Sequence, residues 1–262
     1  MTVDRNGKLS TVEDRPFQAA FRPVLEAVSS QLTDAAPSPL HSLYVYGSVA
    51  AGVARPGISD LDLCLVLKAP PTEAERADFE RIRRAIEAEH PVVSKIDFDI
   101  GSIEDVFAPD TRLAWQVWLK HYCRCLAGAD LRDALPLFQP SRAVAVAING
   151  DVAQVLERYL GRIAEEPAPE HARRVIRAAA RKLIRSTNIL RHPSDTDWPE
   201  TLEDHVRKFQ ARFPEQGREI LYLLEQATTP DALDPDRVAD RLRAFATWLR
   251  ARSDMDGGAR PE

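Results

Sequence analysis

Gly47-Ser48-Val49-Ala50-Ala51-Gly52-Val53-Ala54-Arg55-Pro56-Gly57-Ile58-Ser59-Asp60-Leu61-Asp62-Leu63 sets a glycine turn one short loop ahead of two carboxylates that enter an apolar run. That order decides the fold. Immediately upstream, Leu43-Tyr44-Val45-Tyr46 has the aromatic and β-branched character of a strand that stops at Gly47. Gly47, Gly52 and Gly57 all fall in this segment, where a tight strand exit and close backbone approach to a ligand would require them. Ser48 opens a helix-compatible stretch to Ala54 whose first N–H groups, with the hydroxyl, suit a phosphate; an ordinary glycine turn would use the same residues. Asp60 and Asp62 leave the same face of a strand, so both can hold one hard cation such as Mg²⁺, which relieves their mutual repulsion.

Leu61 to Leu67 is almost continuously apolar, which predicts a central strand buried on both faces beyond Asp62. A third strand is expected over 92 to 100, with Ile96, Phe98 and Ile100 facing one way and Asp97 and Asp99 the other. Either aspartate can supply a third carboxylate. Helices are expected over 11 to 33, ended by Pro37 and Pro39; over 73 to 89, capped by Thr72 and ended by Pro91; and over 110 to 119. Residues 121 to 126, stopped by Gly128, suit an edge strand. After Pro136 and Pro140 the period becomes helical, over 142 to 164, 170 to 191, 199 to 212, 215 to 227 and 235 to 252. The change of period places a domain boundary near residue 140, and the Gly-Gly-containing stretch 253 to 262 is expected to form a flexible tail.

The 262 residues, 44% hydrophobic and 29% charged, suit a soluble globular chain of one large or two ordinary domains. A net charge of −5 gives no general attraction for nucleic acid or anionic membrane and tolerates a cationic substrate. No apolar signal core or membrane-length run is present, so a cytoplasmic location is expected. Cys64, Cys123 and Cys125 form no disulfide framework, and the six histidines show no zinc spacing.

Gly47-Ser48, the spacer with Arg55-Pro56-Gly57, Ser59-Asp60-Leu61-Asp62 and the later Ile96-Asp97-Phe98 resemble the nucleotidyltransferase superfamily of DNA polymerase β, and within it the bacterial aminoglycoside nucleotidyltransferases. The motif match covers about residues 43 to 100. The resemblance implies an α+β protein: a nucleotidyltransferase domain over 1–140, with a small mixed β-sheet flanked by helices, then a C-terminal helical bundle over 141–252 that binds the acceptor. It implies NTP, ATP by preference, as co-substrate, held with two Mg²⁺ ions by Asp60, Asp62 and Asp97, with Gly47, Ser48 and Ser59 on the nucleotide side. Asp97 would help deprotonate an acceptor hydroxyl, and it is preferred to Asp99 because the family's third carboxylate follows a basic-apolar pair such as Lys95-Ile96. Pyrophosphate would leave.

In the helical half, Arg174, Arg177, Arg181 and Arg185 share a helix stripe with Lys182 adjacent. The family holds its triphosphate with a basic residue from this half, which makes Lys182 and Arg185 candidates; a solvated charged face explains the same pattern. Asp195, Asp197 and Trp198 combine carboxylates with an aromatic ring, as an aminoglycoside's ammonium groups and rings would want, and a polar loop with Asp197 or Thr201 capping the next helix accounts for them equally. Two other functions fit the same motifs: a toxin-antitoxin-type enzyme modifying a protein or tRNA, and a non-catalytic nucleotide-binding module.

Overall fold

The computed structural model describes residues 3–33, 38–165, 168–231 and 233–258. It divides into two compact units, Leu9–Phe138 and Met1–Lys8 with Gln139–Glu262. The first contains α1 (Arg22–Thr33), β1 (Leu40–Tyr46), α2 (Gly47–Ala50), β2 (Leu61–Leu67), α3 (Glu73–Glu89), β3 (Ile96–Ser102), α4 (Ile103–Phe107), α5 (Arg112–Tyr122) and β4 (Arg124–Gly128). Its four strands lie in the order β3-β2-β1-β4, with β2 and β3 parallel and the other pairs antiparallel. The fold is α+β with a mixed sheet.

Alternation along β2 divides the core. Leu61, Leu63, Leu65 and Leu67 face α1 and α3, joining Val24, Leu25 and Val28 of α1 and Phe79 and Ile86 of α3. Cys64 and Val66 face the other way, with Tyr44, Val106 of α4 and Leu119 of α5. Asp62 is the first β2 residue in that second row, so the carboxylate enters at the edge of a packed layer. At the far end of this layer a Cβ on Gly101 would collide with the Trp115 ring, which is how α5 closes down on β3.

Several boundaries differ from expectation for local reasons. The first helix begins at a 3₁₀ turn, Ala19–Phe21, rather than at 11. Residues before it are tied down individually: Val12 N–H donates to His121 O, and the Gln18 amide exchanges two hydrogen bonds with the Ala54 backbone. Pro37, expected to end α1, lies outside the described residues. Strand β3 starts at Ile96 instead of 92, because Val93 and Ser94 N–H groups donate to His90 O and Ser59 O in a turn. α5 runs on to Tyr122, so the edge strand starts later, at Arg124. Thr72 caps α3 with a full capping box to Glu75.

The second unit contains α6 (Arg142–Asn149), α7 (Val152–Glu165), α8 (Pro169–Ser186), α9 (Leu202–Arg212), α10 (Gly217–Thr228) and α11 (Pro235–Gly258). Gly150 splits the expected single helix 142 to 164 in two. A 3₁₀ turn, Thr187–Leu190, ends the next one. α8 is the axis of this unit: Ala172, Val175, Ile176, Ala179, Ala180, Leu183 and Ile184 form a buried stripe against α7, α10 and α11. Helix α11 is continuous through Gly258, where a tail had been expected from 253; residues 259–262 lie outside the described residues. No described helix is long and apolar enough to cross a membrane.

Candidate active site

The end of β1 and the starts of β2 and β3 meet at one edge of the sheet. Tyr46 at the end of β1 pairs with Asp62 near the start of β2, and Asp62 pairs with Asp97 of β3. Neighbouring strands are about 4.8 Å apart, so Asp62 and Asp97 present carboxylates side by side on one face. Cys64 and Asp99 are the next such pair inward. Asp60 stands exposed just before β2, with the Ser94 hydroxyl 2.5 Å from its Oδ1.

Gly47 has φ +69° and opens α2 directly over this edge. A Cβ there would run into the Asp62 carboxylate, so glycine is required both by the left-handed turn and by the closeness of the acid. As the first two residues of α2, Gly47 and Ser48 carry N–H groups that the helix itself cannot satisfy. The turn is braced from below by Arg124, which sequence reading missed. Only 6% exposed, it donates to Ala50 O and Arg15 O, pairs with Asp14, and lies 3.8 Å from the Phe17 ring centre.

Charge is unbalanced at Asp62. Burial, then the negative charges of Asp60, Asp97 and Asp99, push its carboxyl up to about 7, with Lys95 opposing. Three neighbouring side chains hold the other acids: Ser94 at Asp60, Lys95 Nζ on Asp97 Oδ2, and the Tyr46 hydroxyl donating to Asp99. Burial, with Asp99 and Asp62 beside it, drives the Tyr46 phenol far above its ordinary value, so it stays a donor. Tyr46 also packs edge-on against Trp118, which stacks on Tyr122. Among the described residues no group of three His, Cys, Asp or Glu side chains is gathered closely enough to hold a metal ion as it stands. The donor set nevertheless fits a hard divalent cation: oxygen ligands only, and a half-buried acid whose ionisation neighbouring carboxylates oppose.

The other sequence candidates are placed differently. Ser59 Oγ accepts from Arg55 N–H and closes the Arg55–Ser59 turn. In the helical unit, Lys182 Nζ pairs with Asp151 Oδ1 at 2.8 Å, while Arg185 stands exposed on α8. Trp198 is 7% exposed and lies beneath the Arg191 guanidinium, 5.2 Å from it, so its ring offers no open stacking surface. Asp195 Oδ2 accepts from His192 N–H, and Asp197 pairs with Lys208 at 2.7 Å. Thr201, not Asp197, caps α9. These three residues hold their own loop together.

Residues 26–106, which span the glycine turn and Asp60, Asp62, Asp97 and Asp99, match the family model of the nucleotidyltransferase domain. Residues 26–106 therefore form a nucleotidyltransferase domain, and the fold of the chain is similar to that of a known adenyltransferase. The spectinomycin adenyltransferase AAD(9) from Enterococcus faecialis, crystallised with ATP and spectinomycin, superposes with a TM-score of 0.55 at 13% identity, over 89% of this chain and 99% of that one. No curated protein matches the sequence.

Proposed function

We propose that the chain transfers AMP from ATP to a hydroxyl of a small cationic acceptor such as an aminoglycoside, releasing pyrophosphate. The observation that carries this reading is the alignment of Asp62 with Asp97 beneath Gly47, which brings an anion-accepting turn and a metal-type acid pair to one edge. Gly47 and Ser48 bind the triphosphate through backbone N–H groups and the Ser48 hydroxyl. Asp60, Asp62 and Asp97 would hold two Mg²⁺ ions, which, when bound, neutralise charge on the triphosphate and on departing pyrophosphate. Asp97 accepts the proton of the attacking hydroxyl, and Lys95 must release it first. Asp99, bonded by Tyr46, sets a carboxylate beside the acceptor and favours a cation there.

Support for a small cationic acceptor comes from the spectinomycin bound by the structural neighbour and from this exposed acid beside the aromatic ladder Tyr46-Trp118-Tyr122. The test is pyrophosphate release with each NTP and Mg²⁺ against a panel of aminoglycosides, spectinomycin, tRNA and neutral sugars, with mass spectrometry of the product. Release that requires ATP and an aminated acceptor supports the proposal. Modification of tRNA or neutral sugars alone would overturn the acceptor, and failure to release pyrophosphate from any NTP would overturn the chemistry.

A further inference from the structure

The helical unit contains a cavity of about 40 Å³ between the 3₁₀ turn Thr187–Leu190, the loop that follows it and α9. Asn188, Arg191, His205, Lys208 and Arg212 are among its walls. Three of these carry a buried nitrogen with no hydrogen-bond partner: Asn188 Nδ2, Arg191 Nη1 and His205 Nδ1. Their residues are 7%, 6% and 7% exposed. Burying an unpaired polar nitrogen is costly, and three on the walls of one cavity, two of them obligate donors and the third able to donate as the Nδ1–H tautomer, call for something there that accepts hydrogen bonds. The space is larger than the roughly 10–15 Å³ that a single water needs.

Charge narrows the occupant. Arg191, Lys208 and Arg212 bring three positive charges to the walls, against two acids: Asp195, whose Oδ2 is already bonded to His192 N–H, and Asp197, which pairs with Lys208. Burial pulls the His205 imidazole down to about 4, so it is neutral at pH 7 and one ring nitrogen can donate. The Arg191 guanidinium is held in place from one side, where Nη2 donates to the carbonyls of Asp195 and Asp197, which leaves Nη1 for another partner. A guanidinium, a primary amide and an imidazole suit the several acceptor oxygens of a tetrahedral anion, and these walls repel an ammonium group.

We propose that this cavity binds a phosphate-type oxyanion through Asn188, Arg191 and His205, with Lys208 contributing charge. The site is independent of the acids on the sheet and does not rest on the acceptor assigned above.

Calorimetric titration of the full chain with sodium phosphate, in EDTA and against chloride at equal ionic strength, tests it. Saturable one-to-one binding is expected. Asn188→Asp should weaken it at least ~30-fold and Lys208→Ala about 3–10-fold, whereas Asp62→Asn should leave it unchanged. Lys208 is 30% exposed, so its variant remains informative if Asn188→Asp disturbs the fold. The His205 imidazole resonances should shift with the same saturation curve. Metal-free ATP as a second titrant separates two sources of the same chemistry: competition assigns the phosphate to a nucleotide tail, and lack of competition assigns it to the free anion. No saturable binding, or binding that both variants retain with His205 unmoved, overturns the proposal and leaves a cavity filled by water.

Discussion

The Asp62 carboxylate lies so close to Gly47 that a Cβ there would collide with it, so the strand exit and the acid constrain one another. Gly47 has φ +69° and Asp62 is held in register between Tyr46 and Asp97, so neither can move aside without breaking strand pairing. The turn and the acid therefore act as one unit.

Gly47→Ala should lower stability by about 1–3 kcal/mol, combining the left-handed backbone cost with the collision at Asp62, and should reduce pyrophosphate release at least ~100-fold. Gly52→Ala is the matched control. Its φ is +72°, but the nearest atom to an added Cβ is Arg15 Cδ at 3.7 Å, so only the backbone cost of about 1 kcal/mol is expected. Thermal melts and initial rates of both variants distinguish collision from backbone strain.

The raised carboxyl of Asp62 makes metal-free stability depend on pH. Its folded value, about 7, exceeds an unfolded value near ~3.9, so the folded chain binds the extra proton between them. Stability should therefore fall as pH rises from about 4 to 7 and stay low above. Asp62→Asn should remove this slope and stabilise the apoprotein at pH 8 by about 1–3 kcal/mol, allowing for the carboxyl's partial exposure, with little gain at pH 4. Urea midpoints in EDTA across that range measure it; parallel curves for the two proteins would contradict it.

Lys95 occupies Asp97 with its ammonium group, a cation standing where the proposed Mg²⁺ would bind. Lys95→Met should cost under about 1 kcal/mol of stability, as the pair is 39% and 41% exposed, yet lower the Mg²⁺ concentration needed for half-maximal rate about 3–5-fold. Magnesium titrations of initial rate read the change, and a raised requirement would show that Lys95 supports the site rather than guards it.

Arg124 connects the segment before α1 to the turn from below. Arg124→Met keeps the apolar stem over Phe17 but strands the carbonyls of Ala50 and Arg15, and should destabilise the chain by about 2–4 kcal/mol. Hydrogen exchange should rise first in residues 47–54.

Much of the sheet was legible because its residues carry strong local signals. β2 occupies 61–67 and α3 occupies 73–89 as expected: the first is an apolar run broken only by Asp62, the second is bounded by Thr72 and Pro91. Residues 92–95 looked like strand by composition, but hydrogen bonds to distant backbone bend them into a turn. Arg124 gave no signal, since a lone arginine at a strand start reads as surface until its distant partners Asp14, Arg15 and Ala50 are in place. Trp198 misled for the reverse reason. An aromatic in an acidic loop reads as a ligand surface, and only tertiary packing turns it inward beneath Arg191.

The most direct measurement is pyrophosphate release by Asp60→Asn, Asp62→Asn, Asp97→Asn and Asp99→Asn, each checked for folding by circular dichroism. Loss of at least ~1,000-fold in the first three, with Asp99→Asn retaining turnover and losing mainly affinity for the cationic acceptor, is the predicted result. Turnover near wild type in Asp62→Asn, or abolition in Asp99→Asn with Asp97→Asn active, would contradict the assignment of Asp62 and Asp97 as the working pair.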